Sequence, residues 1–116
     1  MSYEAYMPYV NVAEGMGRVA NNKMLFGRLV KMCQASAEFQ KFEDAVAADD
    51  AHMAGDVVHA IKGMSGNLSM TRLFETSAKL CDSLRTGTWD DQLLAEYREA
   101  VTKTMEILPT LLAELA

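Results

Sequence analysis

Proline is nearly missing from this chain. Only Pro8 and Pro109 occur among 116 residues, so residues 9–108 contain no helix-breaking ring. Glycine is sparse too, at seven. A β-sandwich or barrel needs a turn roughly every 8–12 residues, and so few turn-formers exclude one. Cysteine numbers two, Cys33 and Cys81, far apart and without a CxxC or an adjacent histidine pair. That pattern excludes a thiolate metal cage and fits reduced, buried thiols in a cytoplasmic protein. Positive charge is in deficit: eleven Lys and Arg face sixteen Asp and Glu, for a net charge of −5. Nucleic acid and anionic membranes are therefore not expected as partners. No apolar run approaches the roughly 18 residues of a membrane span. The opening MSYEAYMPYV carries an acid and no basic stretch, so no secretory signal is expected.

What is present is helical periodicity over the length of one domain, with no repeat or linker to divide residues 1–116. The stretch before Pro8, with Tyr3, Tyr6 and Met7, is expected to pack irregularly. Asn11 suits the N-cap of a short helix to about Ala20, with Val12, Met16 and Val19 at helical spacing. The Asn21-Asn22 pair breaks it. Leu25, Leu29, Met32 and Cys33 form the next stripe, with Val30 beside it. Ser36 marks a joint before Phe39, Phe42 and Val46, and Asp49-Asp50 offers a turn and a cap. After the segment 51–68, Ser69 or Thr71 is expected to cap a helix carrying Leu73, Ser77, Leu80 and Leu84, closed by Thr86-Gly87. The last helix opens at Asp90-Asp91. It runs a seam of Leu94, Tyr97, Val101, Thr104, Leu108, Leu111 and Leu115, with a kink or stop expected at Pro109. Thr104 is expected to bond a backbone carbonyl one turn earlier. The nine methionines read mostly as core filler, with one or two of Met53, Met64 and Met70 open for docking. Trp89 is expected to cap the bundle end. The predicted fold is all-α: an antiparallel four-helix bundle over about 21–115, with a short additional N-terminal helix.

One helix carries more than packing. At about 100° per residue, Ala54, Val57, Val58, Ile61, Met64 and Leu68 share one side of segment 51–68. His52, Gly55, His59, Lys62, Gly63 and Gly66 fall within about 60° of His59 on the other. Three glycines on one face cost a helix on the order of 3 kcal/mol relative to alanine. Close contact with another helix would explain them, but would bury His59 and Lys62 without an evident carboxylate. The alternative is a face cleared so that a partner reaches the imidazole. An imidazole is neutral and nucleophilic near neutral pH, and Lys62, one turn on, suits phosphoryl oxygens as a point charge. Gly63 is the i+4 neighbour, where a larger side chain would crowd the ring. His52 is too far from His59 to share a metal ion, at two turns, so no metal site is expected. Asp56, one turn before His59, reads as a solvated carboxylate. Gly15-Met16-Gly17 follows no strand and is not expected to bind a dinucleotide.

The run His59-Ala60-Ile61-Lys62-Gly63-Met64-Ser65-Gly66-Asn67-Leu68, with Leu73 beyond it, resembles the signature of histidine-containing phosphotransfer (HPt) domains. Residues 12–19 with Asn22, Leu25, Phe26 and Leu29 are similar to the family's opening helices. Leu80, Leu84 and Gly87 fall where its next helix ends, so the resemblance covers about residues 9–112. It implies a phosphorelay protein that carries a phosphoryl group on Nε2 of His59. Lys62 would be its electrostatic partner and Gly63 the clearance beside the ring. His52, Gly55, Asp56, Gly66 and Asn67 would belong to the docking face. The partners implied are response-regulator receiver domains and a hybrid sensor histidine kinase, the receiver supplying Mg²⁺. The chain itself would be no enzyme, would need no cofactor and would act as a cytoplasmic monomer. Ser69 departs from the family, which usually has glycine there. The competing reading is a helical module that binds receivers or kinases without phosphotransfer, marked by a buried, hydrogen-bonded His59.

Overall fold

The computed structural model describes residues 3–116. Among them there is no strand. A 3-10 turn at Glu4–Tyr6 precedes six α-helices: α1 (Val12–Arg18), α2 (Lys23–Gln34), α3 (Glu38–Ala47), α4 (Ala51–Asn67), α5 (Thr71–Arg85) and α6 (Asp91–Leu115). The opening stretch is more ordered than its composition suggests, because Tyr6 and Val10 are buried in the core; its Met1 and Ser2 lie outside the described residues.

Short polar side chains start four of the helices. Asn11, Asn22, Asp50 and Asp90 each accept a hydrogen bond from the backbone N–H three residues on, which satisfies one of the free donors of the first turn. Asn21 and Asp49, at φ 59° and 52°, make the turns just before two of these caps. Helix α1 stops at Arg18, two residues short of the expected end, since Ala20 and Asn21 have already turned left-handed. At Ser36 the hydroxyl accepts from Glu38 N and the helix breaks. Across that break α2 packs on α6 and α3 on α4, while α4 packs on α5 and α5 on α6. The molecule measures 43 × 22 × 22 Å, and its long dimension is close to the roughly 37 Å expected of the 25-residue α6.

Two cross-links hold α3 to α6: the Phe42 and Tyr97 rings meet at 4.8 Å between centroids, tilted by 54°, and Arg98 Nη2 meets Glu43 Oε1 at 2.5 Å. Trp89 is half-buried and donates to Asp49 Oδ1 at 2.8 Å, tying the α3–α4 turn to the α5–α6 connection. No helix among the described residues is long and apolar enough to cross a membrane.

Several expectations need correction. In α2 the core stripe is Phe26, Val30 and Cys33, while Leu25 and Met32 are exposed and Leu29 is half-buried. Methionine is less a core filler than expected: Met7, Met24, Met32 and Met53 are exposed, and Met16 and Met70 are buried. Neither Ser69 nor Thr71 caps α5. The capping position is Met70, without a side-chain bond. Helix α6 continues through Pro109 to Leu115. The proline is on the exposed side, and the buried Leu108, Leu111 and Leu115 hold the helix against the core on both sides of the missing N–H. Thr104 is fully buried, but its Oγ1, like the Oγ of Ser77, has no hydrogen-bond partner among the described residues. Ser65 and Thr76 do make the back-bond expected of Thr104. Both cysteines are buried free thiols, and burial pushes the Cys33 thiol up to about 11.

Candidate functional site

Helix α4 seats its apolar side in the core and leaves His59 on the outside. Ala54, Val57, Val58 and Ile61 are buried, which fixes the helix azimuth. Ser65 is buried as well, donating to Ile61 O at 2.8 Å and Lys62 O at 3.1 Å. His59, Gly63 and Asn67 are exposed, and Lys62 and Gly66 are half-buried. Asp56 is engaged by His52, with Nε2–Oδ2 at 3.5 Å and both side chains largely in water.

The three glycines do not play one part. A Cβ at Gly63 would meet nothing within 4 Å, so the space beside His59 is open. A Cβ at Gly66 would stand 2.9 Å from Phe74 Cδ1, and one at Gly55 3.6 Å from Leu84 Cβ. Both lie under α5 and are not cleared for a partner, but only at Gly66 does the packing leave too little room for a methyl; at Gly55 the contact would be an ordinary one. The helical wheel gives the reason: Gly55, Gly66 and Lys62 fall on one flank of His59, and Gly63 and His52 on the other. Helix α5 covers the first flank only.

Two concavities meet at His59. A cleft of about 460 Å³ runs from His59, Lys62 and Gly63 past Gly66 to Asn67, closed by Glu14 and Arg18 of α1, Ser69, and Thr71 and Phe74 of α5. A second of about 360 Å³ is lined by His52, Gly55, Asp56 and His59, with Cys81, Leu84 and Arg85 across from them. All the α4 residues singled out in the sequence thus border these hollows. Sequence reasoning missed Glu14, Arg18, Thr71, Phe74 and Arg85, and gave Ser69 the wrong task.

Ser69 stands at φ 54°, in the left-handed region that favours glycine. Its hydroxyl donates to Glu14 Oε1 at 2.8 Å and accepts from Arg18 Nη1. Arg18 also reaches Glu14 Oε1 at 3.0 Å and the Asn67 carbonyl at 3.4 Å. Hydrogen bonding from Ser69, then from Arg18, holds the Glu14 carboxyl below the usual carboxylate value. A backbone bond from Asn11 N to Ser69 O, 2.8 Å, completes the fastening of α1 to the α4–α5 turn. The i, i+4 spacing of Glu14 and Arg18 announces their own pairing, but no local signal ties either to Ser69.

Chemically, the arrangement offers an unobstructed imidazole with an ammonium one turn away and no competing carboxylate paired to it. Among the described residues no group of three or more His, Cys, Asp or Glu side chains is placed to hold a metal ion. The family model of the Hpt domain matches residues 30–116. No curated protein and no solved structure matches the chain. The matched region takes in the end of α2 from Val30 onward and everything from α3 to α6, leaving α1 outside it. Three quarters of the sequence, His59 and its helix included, therefore fit one description, and the chain belongs to the Hpt domain family, whose members carry phosphoryl groups in signalling and are not themselves kinases.

Proposed function

We propose that this chain is a histidine phosphotransfer protein of a two-component phosphorelay, with His59 as the phosphoacceptor. The observation that carries the reading is the exposed ring of His59 beside a Gly63 that has nothing within 4 Å. The Nε2 lone pair of the neutral imidazole attacks the phosphorus of an aspartyl phosphate on a receiver domain. The N–P bond forms, the acyl P–O bond breaks, and its electron pair leaves on the aspartate carboxylate. Nδ1 keeps its proton throughout. Lys62 meets the phosphoryl oxygens, which stay negative in both states. The transfer runs in reverse to a second receiver, and the Mg²⁺ that organises the acyl phosphate belongs to the receiver. A hybrid sensor kinase is the source of the phosphoryl group.

The helices support the same reading. With α2 and α3 taken as one broken arm, packing of α3 on α4, α4 on α5, α5 on α6 and α6 on α2 closes a ring. That ring supports reading the fold as an antiparallel four-helix bundle joined by short connections. An exposed imidazole lends no support to a module that only binds. The test is label transfer from a panel of phosphorylated receiver domains. At least one should label the wild-type chain, and His59→Gln should abolish the label; transfer surviving that substitution would sink the assignment.

A further inference from the structure

Ser69 is buried in a backbone conformation that side chains rarely adopt. Strain of this kind is retained where surrounding contacts enforce it, and it gathers at functional sites. Here the backbone bonds of the turn, Ser69 N to Gly66 O at 3.2 Å and Met70 N to Ser65 O at 2.9 Å, set the conformation, and Glu14 and Arg18 hold the hydroxyl that it presents. The Arg18 guanidinium is fixed by Glu14 on its own helix and by Ser69 Oγ and Asn67 O at the α4–α5 junction. Yet the side chain remains about half exposed, at 46%. A guanidinium has five N–H groups, and these contacts occupy three. Two remain for a partner, on a group whose orientation is already set.

Arg18 and Lys62 are the cations of the His59 cleft, and Glu14 is its acid. They are not interchangeable. Asn67, against which Arg18 rests, is eight residues beyond His59, or about 12 Å along α4. A phosphoryl group on His59 does not span that distance, which leaves the phosphoryl to Lys62 and the free N–H groups of Arg18 to something else. Arg18 also lines a neighbouring groove of about 630 Å³ with Val19, Leu29, Met32, Met64 and Leu68. A protein covering both the reacting ring and this apolar surface must lay part of itself over the guanidinium. A planar fork of N–H donors recognises a carboxylate.

The geometry points to Arg18 as a specificity residue that pairs with an Asp or Glu side chain on the surface of the phosphodonor receiver, while Lys62 meets the phosphoryl group. The inference rests on the reading of His59 as phosphoacceptor. Arg18 acts on docking and not on the reacting atoms, so its loss shows in KM and not in kcat. The alternative is a latch that only pins α1.

The test is transfer kinetics from the phosphorylated receiver that labels the wild-type chain best. Arg18→Gln should raise KM about fivefold, leave kcat within about twofold, and flatten the salt dependence of kcat/KM. Arg18→Lys should fall between the two. Ser69→Gly relaxes the turn and frees the guanidinium, and should raise KM about twofold to threefold without lowering the melting temperature. A receiver carrying Lys in place of the contacted acid should recover the loss in Arg18→Glu. A melting temperature lowered by Arg18→Gln with KM unchanged identifies a latch and overturns the proposal. Failure of every receiver to label the wild-type chain removes the phosphoacceptor reading and this inference together. Labelling of the wild type with KM unchanged in Arg18→Gln and Arg18→Lys removes this inference alone.

Discussion

Gly63 and Gly66 stand one turn apart on α4, and an added Cβ would meet empty space at the first and the Phe74 ring at 2.9 Å at the second. Both cost the helix the same roughly 1 kcal/mol relative to alanine. At Gly66 the cost is offset inside the fold, because α5 comes close enough to lay an aromatic ring on the backbone. At Gly63 nothing inside the described molecule offsets it. The proposed phosphotransfer would offset it, by using the clear approach to His59. Two glycines of equal local cost thus separate a packing requirement from the clearance that the proposed function needs, and the separating quantity is what a single methyl group would touch.

The largest effect should come from filling the open position. Gly63→Gln adds a good helix former where there is room, so the folded state should gain about 0.5 kcal/mol or more. The same side chain lies one turn from His59, on the approach to its ring, and misplacing a reacting group by an ångström costs on the order of 100-fold in rate. A melting curve shifted upward together with transfer from a phosphorylated receiver lowered about 100-fold is the expected pair of results. A variant that melts higher and transfers at the wild-type rate would deprive Gly63 of its functional explanation.

The covered position should behave in the opposite sense. Gly66→Ala drives a methyl into Phe74, and the ring must shift to admit it. The cost of overpacking, typically 1–3 kcal/mol, competes with a helix-propensity gain of about 1 kcal/mol, so the net loss of stability should be about 1 kcal/mol. Because the loss belongs to one contact, Phe74→Leu should remove it. A double-mutant cycle between the two sites should then give a coupling of about 1 kcal/mol. Additive effects would mean that the ring does not depend on the glycine.

Most of this was legible from composition and spacing, and the exceptions share a cause. Asn11 and Asp50 cap as expected, and Asp90 caps α6 where it is expected to open, because a cap is settled within four residues; Asn22, read only as a breaker, caps α2 by the same local bond. His59, Lys62 and Gly63 could be placed on one face because a helical wheel needs only its own helix. Which flank of that face α5 covers is an azimuth between two helices, and no residue of α4 encodes it alone. The apolar band of α2 failed similarly. Met24, Leu25, Phe26, Leu29, Val30, Met32 and Cys33 surround so much of the helix that the wheel cannot choose between Leu25-Leu29-Met32 and the buried Phe26-Val30-Cys33. Ser69 was misread because its partners, Glu14 and Arg18, are more than fifty residues away in the chain. Pro109 was overweighted: one missing hydrogen bond on an exposed face lost to three buried leucines.

Gly55 sharpens the comparison from a third side, with the smallest expected effect. It lies on the covered flank like Gly66, yet an added Cβ would sit 3.6 Å from Leu84 Cβ, an ordinary van der Waals distance. A methyl there displaces nothing and gains a contact. Cys81, whose thiol lies 4.0 Å from the Gly55 carbonyl, does not oppose it. The helix-propensity term should therefore dominate, and Gly55→Ala should stabilise the fold by about 0.5–1 kcal/mol. Transfer to His59 should stay near the wild-type rate, since the added carbon points at α5 and not into the approach to the ring. A loss of stability on thermal unfolding would show that α5 presses closer to α4 at this end than at Leu84 Cβ alone. A loss of transfer would show that the partner's footprint extends over the hollow shared by His52, Gly55 and Arg85. Taken with Gly66→Ala and Gly63→Gln, the result separates the glycine that α5 requires from a covered one that it does not, and both from the clearance proposed at Gly63.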